Sequence, residues 1–117
     1  MHKSDEKIIT DDIAGQISDD PSLLNRRILV FSGEGWNAGI VGIVCSRMVE
    51  RFGKPCLLIA QNGDDAKGSG RSVEGFSLIN AITSCSELLT RYGGHPMAAG
   101  FSLKTSDIPA FSAQIED

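Results

Sequence analysis

Short apolar runs alternate with longer amphipathic segments in the middle of the chain, a pattern typical of an α/β protein. Residues 27–32, Arg-Ile-Leu-Val-Phe-Ser, predict a buried strand. A helix is predicted over residues 40–52, because apolar positions recur there with helical spacing and Gly53 supplies a stop. Residues 56–60 predict a second buried strand. Because a βαβ unit has about this length, we expect a right-handed parallel crossover.

The polar segment after the second strand contains Asn62-Gly63, the strongest short turn signal in the chain. We expect the chain to return as a strand over residues 66–73, although glycine inside a strand marks a close approach by another backbone or a ligand. Further strand-like pieces lie at residues 97–103. The predicted fold class is therefore α/β, with a mixed β-sheet of about five strands and helices packed on it.

A second helix is predicted from Ser77, as its N-cap, to Tyr92, with the glycines at 93–94 as its stop. Its apolar face would carry Leu78, Ile82, Cys85 and Leu89. A last helix is expected to open at Ser106 and has barely begun at Asp117. From this we expect the chain to be a piece of a longer protein.

The amino-terminal residues 1–27 contain acidic pairs and isoleucines at positions 9, 13 and 17, which predict one weak helix face ending before Pro21. We interpret this segment as a linker with a solvated, charged surface. The predicted organisation is a connecting segment over residues 1–27, a domain over 28–105 and the start of a truncated C-terminal helix over 106–117.

Charge is distributed unevenly along the 117 residues, whose formal net charge is −4. Both ends are acidic, whereas residues 28–105 carry seven basic and six acidic side chains, a net of +1. This distribution permits a local anion site and disfavours a broad basic groove. A content of 41% apolar and 22% charged residues is ordinary for one globular domain.

The three cysteines are dispersed and lie inside apolar runs, without a Cys-x-x-Cys pair. This arrangement predicts reduced core cysteines in a cytoplasmic protein and argues against a disulfide framework or a zinc site. No apolar run has the length of a membrane span and the N-terminus is polar, so neither a membrane partner nor a signal peptide is expected.

Two glycine-rich segments have the composition of anion sites. Residues 33–39 place three glycines between a strand and a helix start, where backbone amides and the helix dipole favour phosphate. Within this segment Trp36 is interpreted as a core anchor or as a base-stacking platform. Residues 67–72, Lys-Gly-Ser-Gly-Arg-Ser, combine hydroxyls, glycine amides and an arginine fork that suit a phosphodiester, unless they form a hairpin edge with a surface arginine.

A third segment, residues 92–101, places Gly93-Gly94 before His95, the only interior histidine. It predicts a backbone held tightly around a ligand with an imidazole at its edge, or else a plain turn with a satisfied histidine. No metal-ligand spacing, catalytic Ser/His/Asp pattern or acidic cluster accompanies it, so we expect no metal site in this chain.

Taken together, these segments resemble the substrate-binding domain that accompanies the DHH phosphoesterase domain, known as the DHH-associated domain. The family's two hallmark motifs match residues 68–72 (Gly-Ser-Gly-Arg-Ser) and 93–100 (Gly-Gly-His-Pro-Met-Ala-Ala-Gly). The upstream blocks at 33–36 and 39–52 are similar to the RecJ-type branch of single-stranded-DNA exonucleases. The resemblance covers about residues 27–105.

The resemblance implies a two-domain enzyme in which a preceding DHH catalytic domain holds two divalent metals, Mn²⁺ or Mg²⁺, while this chain holds no cofactor. It implies a 5′→3′ exonuclease that acts on single-stranded DNA in repair and recombination. His95 would assist at the cleaved phosphate, with Arg71 and Ser72 as phosphate contacts. The implied substrate-binding set is Gly68, Ser69, Gly70, Arg71, Ser72, Gly93, Gly94, Trp36 and Asn37.

One position departs from the family pattern, because that branch commonly has histidine where this chain has Asn37. Asparagine forms hydrogen bonds but carries no charge, which puts an acid–base role there in doubt. Two alternatives to the exonuclease stay open: a DHH-family phosphodiesterase for oligoribonucleotides, a nucleotide phosphate or a cyclic dinucleotide, and a non-enzymatic partner-binding domain. In each enzymatic case we expect this chain alone to be inactive.

Overall fold

The computed structural model describes residues 3–116, with four α-helices and five strands in that range. In chain order these are α1 (Lys3–Asp19), β1 (Leu29–Glu34), α2 (Val41–Phe52), β2 (Cys56–Asn62), β3 (Asp65–Arg71), α3 (Leu78–Thr83), β4 (Arg91–Gly94), β5 (Ala98–Lys104) and α4 (Ile108–Glu116). Short 3₁₀ turns lie at Pro21–Asn25, Ser86–Leu88 and Thr105–Asp107.

The five strands form one mixed sheet in the order β1-β2-β3-β5-β4. Strands β1 and β2 pair in parallel through α2, and the remaining neighbours are antiparallel. Helix α2 ends at Gly53, which has φ 67° and donates its amide to the Val49 carbonyl at 2.8 Å. Gly63, with φ 65°, makes the predicted turn between β2 and β3. The predicted α/β fold with an initial βαβ unit is confirmed.

Each face of the sheet has its own hydrophobic core. On one face, which we call the closed face, side chains of β2 and β5 such as Leu57 and Phe101 pack against α3 and α4. Phe101 and Phe111 stack there at a tilt, with ring centroids 5.0 Å apart. On the other face, α1 and α2 cover β1 and β2. All three cysteines are buried and unpaired, as predicted.

The amino-terminal helix α1 belongs to the second core, which differs from the expected solvated linker. Ile9 and Ile13 are 0% and 3% exposed in the core that also contains β1 and α2. Asp12 is not simply solvated, since its carboxylate accepts a hydrogen bond from the Trp36 indole at 2.8 Å. The isoleucine face was therefore a packing face, and the domain boundary at residue 27 stays a prediction.

The predicted helix from Ser77 to Tyr92 is wrong in its second half. Ser77 does cap α3, its side chain accepting the Asn80 amide, but the helix ends at Thr83. The Ser84 hydroxyl donates to the Ala81 carbonyl, a local bond that competes with helix continuation. The chain then enters β4 at Arg91, so the paired glycines lie in a strand, where they do not stop a helix.

A carboxylate near the end of α4 ties that helix to the start of the sheet. Glu116 accepts hydrogen bonds from the backbone amides of Arg27 and Ile28 and from the Arg26 guanidinium, at 3.0–3.3 Å. Partial burial by itself would raise the pKa of Glu116. The two backbone hydrogen bonds and the Arg26 charge outweigh that effect and lower its pKa.

Candidate nucleic-acid interface

The strand β3 carries the first predicted motif, and its glycines face the closed side of the sheet. A Cβ built on Gly68 would fall inside the Phe101 ring, and one on Gly70 would overlap the Leu57 and Leu78 side chains. Gly68 pairs with Phe101 on β5, which explains why that ring occupies the empty place. These two glycines are accounted for by core packing, so their predicted role in shaping a ligand loop has no separate support in this geometry.

The residues between those glycines point to the opposite side, which we call the open face. Strand alternation places Lys67, Ser69 and Arg71 there, on the same side as α2. Helix α2 covers β2 and part of β3 on this side. Beyond it, the register aligns Ser69 with Gly100 on β5 and Gly93 on β4. Gly93 and Gly100 are both exposed, so this part of the sheet has a floor of bare backbone.

Arg71 lies where the open face meets the first turn of α2. Its guanidinium is so close to Gly42 that a Cβ there would be 2.8 Å from Nη2, and its Nη1 donates to the Gly70 carbonyl at 2.7 Å. The amides of Ile43 and Val44 both donate to the Ile40 carbonyl. Earlier amides of the turn have no acceptor within a helix. Arginine and a helix N-terminus together favour an anion.

His95 is brought to the same end of the sheet as Arg71. Arg71 pairs with Ala98 on β5, and the His95 amide donates to the Ala98 carbonyl at 2.8 Å. The two residues are thus separated by one strand, or about 10 Å between backbones. His95 is exposed and Arg71 is half-buried. The His95 turn and the end of β3 therefore lie at the same end of the sheet.

Ser72 and Gly94, also predicted as ligand contacts, have structural roles in this geometry. Ser72 is 5% exposed, and its hydroxyl donates to the Phe76 carbonyl at 2.7 Å. Gly94 has φ 144°, and a Cβ there would be 2.5 Å from the Ala99 Cα. The Ser72 hydroxyl is thus buried, and the backbone conformation at Gly94 requires glycine. The presence of serine and glycine at these two positions is therefore explained without a ligand.

The upstream block at residues 33–36 is explained by packing rather than by an anion. The Trp36 indole occupies the place that a Cβ on Gly33 would take, and Trp36 is only 5% exposed. This favours the core-anchor interpretation over the base-stacking one. Asn37 is exposed, accepts the Gly39 amide at 2.8 Å and donates to Asp5 at 3.0 Å. Asn37 therefore shapes the loop that leads into α2.

Sequence reasoning missed two glycines that contribute to this surface, Gly42 and Gly100. Gly42 makes room for the Arg71 guanidinium beside α2, whereas Gly100 extends the bare floor next to Ser69. Their signal was an isolated glycine in a helix start and another in a strand, each a mark of close approach. Within residues 3–116, no group of three His, Cys, Asp or Glu side chains is placed to hold a metal ion. No helix in that range has the length and apolar character to cross a membrane.

The DHHA1 domain family matches residues 22–117. The chain belongs to this family. The RecJ single-stranded-DNA-specific exonuclease of Bacillus subtilis is 40% identical over 96 residues, which are 80% of this chain and 12% of that protein. A crystal structure of exonuclease RecJ bound to manganese superposes on 97% of this chain with a TM-score of 0.82 and 36% identity, and the match covers 27% of the RecJ chain.

A structure of RecJ in complex with Mg²⁺ from Thermus thermophilus is 37% identical, with a TM-score of 0.72, and the match covers 82% of this chain and 16% of the RecJ chain. The domain thus spans between an eighth and about a quarter of the proteins it resembles. The activity of those longer proteins therefore also depends on parts of their chains that this chain does not match.

Proposed function

We propose that this DHHA1 domain is the substrate-binding part of a RecJ-type, metal-dependent 5′→3′ exonuclease that acts on single-stranded DNA in repair and recombination. The observation that carries the proposal is the position of the Arg71 guanidinium beside the first turn of α2 at Gly42, with the exposed His95 turn one strand away at the same end of the sheet. Membership of the DHHA1 family and likeness to RecJ proteins support it.

Arg71 would bind a phosphate oxygen pair of the strand. A guanidinium offers two parallel hydrogen-bond donors that match the spacing of two phosphate oxygens. The backbone amides at the start of α2 add further donors, which do not titrate. Arg71 has no carboxylate partner in the described structure, since its hydrogen bond goes to a backbone carbonyl. Its charge is therefore available to a ligand.

His95 would act beside the scissile phosphate, where an imidazole donor stabilises charge that develops on oxygen. The half-buried Ser69 side chain, the exposed Asn37 side chain and the exposed backbone of Gly93 would complete the contacts. Mn²⁺ or Mg²⁺, which the solved RecJ structures contain, would supply the hydrolytic chemistry from a separate DHH domain of the full-length protein. The described residues of this chain do not offer a ligand set for either ion.

The phosphate role is tested by Arg71→Ala in the full-length protein that carries this domain. Binding of a 5′-phosphorylated single strand is measured by anisotropy without metal, over a range of salt concentrations. We expect about a tenfold or greater loss of affinity, because a charged hydrogen bond contributes roughly 1.5–3 kcal/mol, and a salt slope smaller by about one. Unchanged affinity and slope would contradict the proposal.

Two further variants separate charge from geometry in the same assay. Arg71→Lys should keep the salt slope but lose part of the affinity, because lysine lacks the bidentate fork. The matched control Arg51→Ala also removes one charge. Arg51 lies over the Phe52 ring in the last turn of α2, at the opposite end of that helix from Gly42 and Arg71. The control variant should leave binding unchanged.

The proposed division of labour is tested by the chain alone. Incubated with Mn²⁺ and 5′-phosphorylated single strands, it should show no turnover, whereas robust cleavage would refute a substrate-binding role without a catalytic centre. Parallel assays of the full-length protein with short oligoribonucleotides and cyclic dinucleotides test the substrate. Preference for either over single-stranded DNA would favour the related DHH phosphodiesterases instead.

A further inference from the structure

Basic side chains also occupy the open face at a distance from Arg71. Lys67 on β3 pairs with Ser102 on β5, which pairs in turn with Arg91 on β4. By strand alternation all three point to the open face, where Lys67 and Arg91 are exposed. Arg91 and Ser102 line a shallow pocket of about 360 Å³ together with Gly93 and Gly100. We call Lys67, Ser102 and Arg91 the second row.

The charges of the second row have no partner within the described part of the chain. Elsewhere, Lys7 and Arg47 pair with carboxylates, and Lys54 donates to the Leu24 carbonyl at 2.6 Å. By contrast, Lys67 and Arg91 form no ion pair or hydrogen bond with any described residue. The acidic side chain nearest in register is Asp65, one row further along, opposite Lys104 in the backbone register of β3 and β5. The net charge of the second row is therefore left for an external anion.

The distance between the second row and the row of Arg71 fits a polymer better than a single small anion. Arg71 is four positions after Lys67 on β3, which corresponds to about 13 Å at the rise of a strand. Stacked nucleotides rise about 3.4 Å each, so the rows are roughly four nucleotide steps apart, and fewer for an extended strand. Ser69, Gly100 and Gly93 lie between the rows in register and leave the path unobstructed.

We propose that Lys67 and Arg91 contact a second phosphate of the same DNA strand, several nucleotides from the phosphate that Arg71 binds, and that Ser102 supports this contact as a hydroxyl donor. The inference rests on the proposed function and deepens it, because it assigns the course of the DNA along β3, from Arg71 to the second row. It makes affinity dependent on strand length, which a single phosphate site would not do.

The test is the Lys67→Ala/Arg91→Ala double variant of the full-length protein, with oligo-dT of about 3 and about 12 nucleotides as probes, chosen to fall below and above the four-step separation of the rows. Anisotropy is measured without metal over a salt series. We expect about a tenfold loss for the longer strand, a change below about twofold for the shorter one and, because one phosphate contact of a single strand is removed, a salt slope smaller by about 0.7 for the longer one. The control is Lys7→Ala/Arg51→Ala, which removes the same charge elsewhere and should leave both affinities unchanged.

The outcomes separate this inference from the proposed function. If Arg71→Ala weakens both probes while the second-row variant leaves the longer strand and its salt slope unaltered, the second contact is refuted and the proposed function stands. If neither variant changes binding, the proposed function fails as well. Equal losses for both probe lengths in the second-row variant would also overturn the inference, because they would indicate a general charge effect.

Discussion

The two faces of the sheet use glycine in opposite ways, and Gly68 and Gly100 show the contrast on neighbouring strands. Gly68 faces the closed side, where the Phe101 ring occupies the space that a side chain would need. Gly100 faces the open side, where a Cβ would lie 3.7 Å from the nearest atom, the Gly68 carbonyl oxygen. The first glycine is required by the core, whereas the protein's own packing does not require the second.

This difference separates glycines that core packing requires from glycines that it leaves unexplained, and a sequence motif treats the two kinds alike. Neither residue has a positive φ, so backbone conformation does not explain either one. On the closed face, a larger residue would collide with the core. On the open face, a larger residue would collide only with a ligand bound over the exposed backbone of the sheet. A substitution that the fold tolerates and binding does not would therefore identify the ligand-facing surface.

Gly68→Ala should have the largest effect on stability. The new Cβ would displace the Phe101 ring, which is 4% exposed and packed against Phe111. Overpacking of this kind costs about 1–3 kcal/mol. Urea unfolding monitored by circular dichroism measures the loss. A variant as stable as the parent would show that the closed face is looser than its packing indicates.

Gly100→Val should do the reverse, with little change in unfolding free energy, within about 0.5 kcal/mol as for an exposed site. Affinity for single-stranded DNA should fall about tenfold, equivalent to about 1.4 kcal/mol, because a branched side chain would rise from the floor. Paired unfolding and anisotropy measurements on one preparation check both. Undiminished binding would mean that the strand does not cross this part of β5.

The smallest expected effect concerns Glu116, at the far side of the molecule from the open face. Its folded-state pKa is lowered, so its contribution is present above the unfolded value near 4.5 and is lost as pH falls through the folded value. The side chain is 30% exposed, and we expect a contribution of about 0.5–1 kcal/mol at neutral pH. Unfolding of Glu116→Gln should lack the part of the parent's acid-dependent loss below about pH 4.5 that Glu116 contributes, while DNA binding stays unchanged.

The sheet could be predicted from the sequence because its strands are short apolar runs separated by turn residues. Asn62-Gly63 alone specified a hairpin, since a positive φ at Gly63 is a local property. The helix beyond Ser84 was predicted wrongly because Leu88 and Leu89 keep helical spacing while they pack against the closed-face core from a 3₁₀ turn and the residue after it. The spacing of apolar residues indicates which side chains are buried, but not whether the chain is helical. In the segment after α3, the pairing of β4 with β5 determined the conformation.

The candidate site was predictable in part for a related reason. Arg71 and His95 stood out by residue type, and their approach follows from β3 and β4 both pairing with β5. Which glycines face the core depends on strand register and on the position of the Phe101 ring, neither of which a local motif contains. Lys67 and Arg91 were ordinary surface charges until the register placed them in one row.

Because the Trp36 indole donates a hydrogen bond to Asp12 on α1, its intrinsic fluorescence reports on the contact between α1 and the rest of the domain. Trp36 is the only tryptophan, and it lies beneath α1 with its ring shielded from water. Release of α1 from the sheet would hydrate the indole and shift its fluorescence emission to longer wavelength. The position of this single emission band therefore follows the docking of the amino-terminal helix in solution, without any label.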